Sequence, residues 1–343
     1  MRSTDHVGRN DGPSAAVIIP FYQRREGLLR RAVTSALAQD GVPSPWVIVV
    51  DDASPVSAES DLGGLSSEQR TRITVVEQEN AGPGAARNTG LDRLPAGVEY
   101  VAFLDSDDEW LPGHLRRAVA ALEVGFDLYF SNYRDIGQEA GGFEVRGHVQ
   151  PDQHDPLQGV PDVYAFRGDL RHAILSACPI ETSTVVFRRS AFADLRFRPA
   201  FRDSYEDHMF WFEMAAASPR ATFSVAIGTQ YGTGVNLYRG LAHDAEGRFR
   251  AAVSSTKFRA GVRSAFSLTA DQREIVDRRL DRDRCAIAGH LMHRLRRGQG
   301  IPWSDLRDYL RADPRSLVQL PWAVCRQSFA WLAQRERGAE PGA

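Results

Sequence analysis

The chain has 343 residues, 43% hydrophobic and 25% charged, with a formal net charge of −2. This is an ordinary globular composition, long enough for one large or two modest domains, and it lacks the basic excess that a nucleic-acid binder needs to neutralise phosphates. Cys178, Cys285 and Cys325 are too scattered for a disulfide framework or a zinc site, while a polar N-terminus and the lack of any apolar run near ~18 residues argue against a leader or a membrane span, so a cytoplasmic protein is expected.

In chain order, residues 1–13 are polar and read as a disordered tail. Residues 15–19 form an apolar, β-branched strand stopped by Pro20, and 24–39 follow with Leu28, Leu29, Val33, Ala36 and Leu37 at helical spacing. Residues 46–50 predict a second strand, ended by Asp51-Asp52-Ala53-Ser54-Pro55, and 73–76 a third. Asn80-Ala81-Gly82-Pro83-Gly84 then turns into a helix through Leu94. A fourth buried strand, 101–104, stops abruptly in Asp105-Ser106-Asp107-Asp108, and Leu111-Pro112 opens a helix to Val124.

Residues 128–130 read as a strand, and 133–161, rich in Gly, Pro, Asp, Gln and His, as a functional loop or lid. After a strand at 184–187, Tyr205-Glu206-Asp207-His208 precedes a helix, 209–217, that is apolar almost all round and so expected to be buried. Beyond residue 240 strands disappear, and 249–266, 270–297, 303–311 and 317–335 read as helices. The last carries Leu317, Leu320, Trp322, Val324, Phe329, Trp331 and Leu332 beside Arg315, Arg326, Arg335 and Arg337, a stripe suited to core packing or a homodimer ahead of peripheral contact with a membrane.

Strands alternating with helices indicate an α/β fold, a mostly parallel sheet flanked by helices. Two of its strands end in acids at the same edge, where ligands bind in such sheets. Clustered carboxylates suit Mn²⁺ or Mg²⁺ completed by substrate phosphates, although an isolated Asp-Ser-Asp could equally cap a helix. An EF-hand is excluded by Trp110 and Arg116 at its sixth and twelfth positions, and a dinucleotide fingerprint by Arg87 in place of its third glycine. Glu206 and Asp207, at the mouth of a helix, fit either a cap or a general base.

Taken together, these segments resemble the family 2 glycosyltransferases, inverting enzymes of the GT-A fold. Pro20-Phe21-Tyr22 is similar to the segment that holds the nucleotide base, and Val49-Val50-Asp51-Asp52-Ala53-Ser54 to the motif in which Asp52 would contact a pyrimidine. Asn80 to Gly90 is similar to the family's Gly-rich, Ala-Arg-Asn segment, with Gly82, Arg87 and Asn88 lining the nucleotide pocket. Asp105-Ser106-Asp107 stands in place of the Asp-x-Asp motif; the resemblance puts Asp105 and Ser106 at the sugar nucleotide and Asp107, with Asp105, at the metal. Glu206-Asp207 is similar to the acidic pair that supplies the catalytic base, Asp207, and Asp108 is left to cap a helix or orient its neighbours.

The resemblance implies a catalytic domain over 14–240, divided into a nucleotide-binding half (14–110) and an acceptor-binding half (111–240). A C-terminal helical region (241–335) and a disordered tail (336–343) complete the chain. It further implies a nucleotide-sugar donor, UDP first and dTDP second, and a hydroxyl-bearing acceptor that is a glycan, a lipid-linked molecule or a small natural product. Gln327-Ser328-Phe329-Ala330-Trp331 lacks the arginine of the processive synthases' Gln-x-x-Arg-Trp, so a non-processive enzyme is expected. His243 is displaced by two residues from the family's Tyr-Arg-x-His context. The rivals are a sugar-1-phosphate nucleotidyltransferase, whose Gly-rich, Lys-containing loop is missing after Pro20, and a non-catalytic nucleotide-sugar binding protein.

Overall fold

The computed structural model describes residues 15–41, 44–202, 204–234 and 245–318. They form two compact units. The first comprises the described residues up to Gly168 with Pro179–Arg196 and Met214–Val235; the second comprises Asp169–Cys178, Phe197–Glu213 and the described residues from 236 onward.

In the first unit the strands are β1 (Ala15–Phe21), β2 (Trp46–Asp51), β3 (Ile73–Glu77), β4 (Tyr100–Phe103), β5 (Glu109–Trp110), β6 (Leu128–Arg134), β7 (Asp155–Pro156), β8 (Val163–Ala165), β9 (Val186–Arg188) and β10 (Ala221–Gln230). They make one sheet in the order β3-β2-β1-β4-β9-β6-β10-β8-β7, with β5 paired to β10. Helices α1 (Leu28–Leu37), α2 (Ala58–Asp61), α3 (Ser67–Arg70), α4 (Pro83–Asp92), α5 (His114–Glu123) and α6 (Gly142–Arg146) surround it. The β3-β2-β1-β4 portion is parallel as expected. Beyond it the sheet is mixed, because β9 runs antiparallel to both β4 and β6.

β1 shows how its sequence makes a strand buried on both faces. Ala15, Val17, Ile19 and Phe21 join a core cluster with Leu29 and Val33 of α1 and Leu115 and Ala118 of α5, each buried Val, Ile, Leu or Phe among them stabilising by roughly 1.5–3 kcal/mol. Ile18 points the other way, as period-two alternation requires. There α4 lies so close that a Cβ on Gly90 would stand 2.3 Å from Ile18 Cγ2, so only glycine fits.

Pro20 sits inside this central strand, where a missing N–H is normally not tolerated. Its position explains why it is. Leu104 N–H donates to the Ile18 carbonyl (3.1 Å) and Asp52 N–H to the Phe21 carbonyl (3.0 Å), so by alternation residue 20 faces β4, at the point where β4 pairing ends with Ile18 opposite Phe103.

Three sequence expectations change. The ten-residue strand β10 was not anticipated; its hydroxyl-rich alternation and register shifts after Ser224 and Ile227 hide the pattern. Residues 133–161 are not a structureless lid, since they finish β6, form α6 and add β7 to the sheet edge. The strand expected at 184–187 is present as β9 but begins two residues later, after a 3-10 turn at Thr182–Thr184.

The second unit holds α7 (Leu170–Ala177), the first two turns of α8 (Glu206–Ala216), and α9 (Ala245–Ala265), α10 (Ala270–Arg296) and α11 (Trp303–Ala312). Thr269 and Gln272 form a capping box that starts α10, and the Gln272 amide donates to Asp169 (2.6 Å), itself the N-cap of α7. Phe249, Val253, Ile287, Leu291, Leu306 and Tyr309 make a small core among α9, α10 and α11. Buried ion pairs, Arg259 with Asp283 and Arg284 with Asp313, flank it. Most of the 317–335 stripe, on which homodimer and membrane contacts were expected, lies outside the described residues. Among the described residues no helix is long and apolar enough to cross a membrane.

Candidate active site

From β1 the chain builds outward to β2 and β3, then returns to place β4 on the other side of β1. That reversal is a topological switch point, and it gathers the carboxyl ends of β1, β2 and β4. Tyr22, half-buried, closes β1 just beyond Pro20 and Phe21, both buried.

β2 ends in two buried acids with different partners. Asp51 accepts from Ser54 N–H (2.8 Å) and Ala58 N–H (2.9 Å), which closes the turn into α2. Asp52 accepts on Oδ1 from Gln78 Nε2 (2.7 Å) and Ala81 N–H (2.8 Å), and on Oδ2 from Gly82 N–H (2.9 Å). The carboxylate thereby fixes the start of α4, where Gly82 takes φ +90, a conformation that side chains disfavour. Just over one turn into α4, Arg87 is only 4% exposed at its side chain and donates to Asp105 Oδ1 at 2.7 Å. It is no solvated helix residue. Asn88 follows it, half-buried on the same helix.

The acidic loop after β4 is held from several directions. Ser183 Oγ accepts from Asp105 N–H (3.0 Å) and donates to Asp108 Oδ2 (2.6 Å). Gly232 N–H reaches Asp108 Oδ1 (2.9 Å), Gly234 N–H reaches Asp107 Oδ2 (2.8 Å), and Arg31 donates to the Asp107 carbonyl (2.7 Å). Ser106 is buried and accepts from Gln23 Nε2 (3.1 Å). Asp108 therefore caps no helix; it ties the loop to Ser183 and Gly232, and α5 starts after Gly113 instead. Burial, and then the neighbouring carboxylates, push Asp107 above the usual carboxylate range and Asp108 well above it. A cation would relieve that repulsion.

Sequence reasoning missed much of this scaffold. Gly232 and Gly234 lie against the acidic loop so tightly that a Cβ would fall 1.5 Å from the Asp107 carbonyl oxygen and 2.5 Å from Asp107 Cβ, respectively. Two glycines one residue apart directly after a strand were the available signal. Ser183 offered none. Gln23, Arg24, Arg25, Thr233 and Gly234 line a cleft of about 400 Å³, across which Arg25 binds the carbonyl and hydroxyl of Thr233. Among the described residues no group of three or more His, Cys, Asp or Glu is arranged to hold a metal.

In the second unit Glu206 is buried and Asp207 half-buried in the first turn of α8. Asp207 Oδ1 accepts from His208 N–H (2.7 Å) and lies 2.9 Å from His208 Nδ1. Tyr205, just before the helix, has φ +66, a strained value for a bulky residue and of the kind that collects at functional sites. His243 lies outside the described residues.

The sequence profile of glycosyl transferase family 2 matches residues 16–195, which contain both acid-ended strands and the Gly-rich turn. The chain belongs to that family. This glycosyltransferase is 36% identical over 230 residues to the succinoglycan biosynthesis protein ExoW of Rhizobium meliloti (strain 1021), covering 66% of this chain and 72% of ExoW. Its fold is the GT-A fold. S. aureus TarS 1-349 superposes with a TM-score of 0.53 at 18% identity, over 90% of this chain and 83% of TarS. Mannosyltransferase PcManGT of Pyrobaculum calidifontis, solved with GDP-Man and Mn²⁺, gives 0.54 at 18% identity, over 91% and 88%. Membership of the family leaves the nucleotidyltransferase and the non-catalytic alternatives without support.

Proposed function

We propose that this glycosyltransferase moves a sugar from a nucleoside diphosphate sugar to an acceptor hydroxyl by a single, inverting displacement. The observation that carries the reading is the pair of partly exposed carboxylates, Asp105 and Asp107, at the carboxyl end of β4 beside the switch point, with Arg87 bound to Asp105. Pro20, Phe21 and Tyr22 form the floor for the nucleotide base. Of the about four acceptor sites on a carboxylate, Asp52 uses three within the chain, leaving one for a single donor. One N–H is what uracil or thymine presents, so UDP comes first and dTDP second. Gly82, Arg87 and Asn88 flank the diphosphate, with Ser106 and Asp105 toward the sugar.

The donor set fits a hard divalent cation. Asp107 and Asp105 would hold Mn²⁺ or Mg²⁺, and two protein carboxylates leave positions for phosphate oxygens. When bound, the ion neutralises charge that gathers on the departing diphosphate. Asp207, with Glu206 beside it, takes the proton from the acceptor hydroxyl; that oxygen attacks the anomeric carbon on the face opposite the diphosphate, and the bond to the diphosphate breaks. Similarity to a succinoglycan biosynthesis protein favours a glycan, free or lipid-linked, as acceptor over a small natural product.

A thermal-shift screen of UDP-, dTDP- and GDP-sugars with and without Mn²⁺ tests the donor half, because a ligand that binds only the folded state raises its melting temperature. The expected result is a Mn²⁺-dependent shift with a UDP-sugar that Asp107→Asn removes. A preference for a GDP-sugar, or a shift indifferent to metal, overturns it. For the base, Asp207→Asn should lower turnover by about 10²–10⁴-fold with the donor shift retained; unchanged turnover overturns that assignment.

A further inference from the structure

We propose that His208 is a positioning residue that orients the acceptor-activating carboxylate of Asp207, and that aromatic residues from the C-terminal helices hold its ring in place. This rests on the reading of Asp207 as the base.

Consecutive residues of a helix do not normally face each other, yet His208 Nδ1 lies 2.9 Å from Asp207 Oδ1, the same oxygen that accepts His208 N–H at 2.7 Å. An ionised carboxylate only accepts, so the ring must carry its proton on Nδ1. Two donors on one oxygen fix the carboxyl rotamer and commit Oδ1 to the His208 side. The ring is held by its neighbours. Tyr205 lies 4.9 Å from it, centroid to centroid, and Phe258 of α9 meets it edge-on at 6.0 Å. Tyr205 in turn stacks on Phe258 at 5.6 Å and lies 5.9 Å beneath the Arg259 guanidinium, which is anchored by Asp283 of α10 and by Ser255. The φ of +66 at Tyr205 is what this stacking sustains. A continuous set of contacts thus runs from α10 and α9 through Tyr205 to the imidazole and then to the carboxylate, all within the second unit.

The test uses the full chain labelled with ¹⁵N-histidine; nine histidines give nine ring systems, and His208→Asn assigns the one of interest. Above pH 8, the ring of His208 is expected as the Nδ1–H tautomer in the wild type, reverting to Nε2–H in Asp207→Ala. An Nε2–H ring in the wild type, or one indifferent to Asp207→Ala, overturns the proposal without any turnover being measured. Release of UDP from UDP-glucose, UDP-galactose and UDP-N-acetylglucosamine with Mn²⁺ supplies the kinetic arm. His208→Ala should lower kcat about 10- to 100-fold with KM nearly unchanged, the size of a small misplacement of a reacting group. His208→Asn, whose amide N–H replaces Nδ1–H but cannot take up a proton, should restore most of that loss. Wild-type kcat in His208→Ala, or no rescue by Asn, sinks the positioning role. Full turnover in Asp207→Ala instead sinks the base assignment, so the two failures are separable, and matching melting curves establish that each variant is folded.

Discussion

The loop Asp105–Asp108 and the carboxylate of Asp207 are both acids at the end of an element, but they are made rigid by different means. The loop is pinned at Asp107 and Asp108 by two backbone N–H groups, those of Gly232 and Gly234, and braced by the side chains of Ser183, Arg31, Gln23 and Arg87. Asp207 is held by the N–H and the ring of His208, and that ring by aromatic side chains and an ion pair from helices far along the sequence. Backbone struts resist most substitutions but fail completely where a glycine is lost. Side-chain struts fail gradually and can be rebuilt by a conservative replacement.

Substitutions should expose that difference. The largest effect belongs to Gly232→Ala, whose new Cβ would stand 1.5 Å from the Asp107 carbonyl oxygen; the loop must move, and the Mn²⁺-dependent donor shift should vanish together with several degrees of melting temperature. Retention of that shift would show that the loop tolerates displacement and break the comparison. Next is Arg259→Ala, which strands the low-exposure Asp283 and should cost about 3–5 kcal/mol in urea unfolding, with donor binding intact in the folded fraction. Ser183→Ala removes a donor from buried Asp108 and should cost about 1–3 kcal/mol, a size that would rank this side-chain strut of the loop with those of the second unit. The smallest effect is a pH response. Burial lowers His114 to about 3 from 6.5, so between those values the unfolded chain binds the extra proton. This contribution is negligible above pH 7 and is felt as the solution is acidified, stability falling by about 1 kcal/mol from pH 6.5 to 5.5; His114→Asn should take that much off the slope in denaturant titrations and leave the share of His148, which burial lowers to about 4.

The parallel half of the sheet was legible because β1, β2 and β4 are continuous apolar runs, the last two ending in acids, and apolar runs buried on both faces have few other readings. Asp105 and Asp107 stood out for the same reason, whereas Arg87 was singled out only by the resemblance of its Gly-rich segment to the family's. The rest was hidden by physics that one sequence does not display. β10 mixes Phe223, Val225 and Ile227 with small and hydroxyl side chains and carries register shifts, so its period is broken. Ser183 acts through a hydroxyl placed by a 3-10 turn some 75 residues from its partner Asp108. The contact between His208 and Phe258 joins a loop-to-helix junction to a helix about fifty residues later, a distance at which local pattern carries no information. Asp52 was expected to contact a pyrimidine; that most of its hydrogen-bonding capacity also builds the turn that begins α4 was not legible.

Pro20 faces the gap where β4 parts from β1. In a parallel ladder the next bond after Leu104 N–H to the Ile18 carbonyl would run from the N–H of residue 20 to the Leu104 carbonyl. Proline has no such hydrogen, so the zipper between the two strands stops at a covalently determined point and the chain is released to swing Asp105 away from the sheet. Any other residue at position 20 would offer the missing N–H. The point at which the two strands part is thus set by the chemistry of one ring.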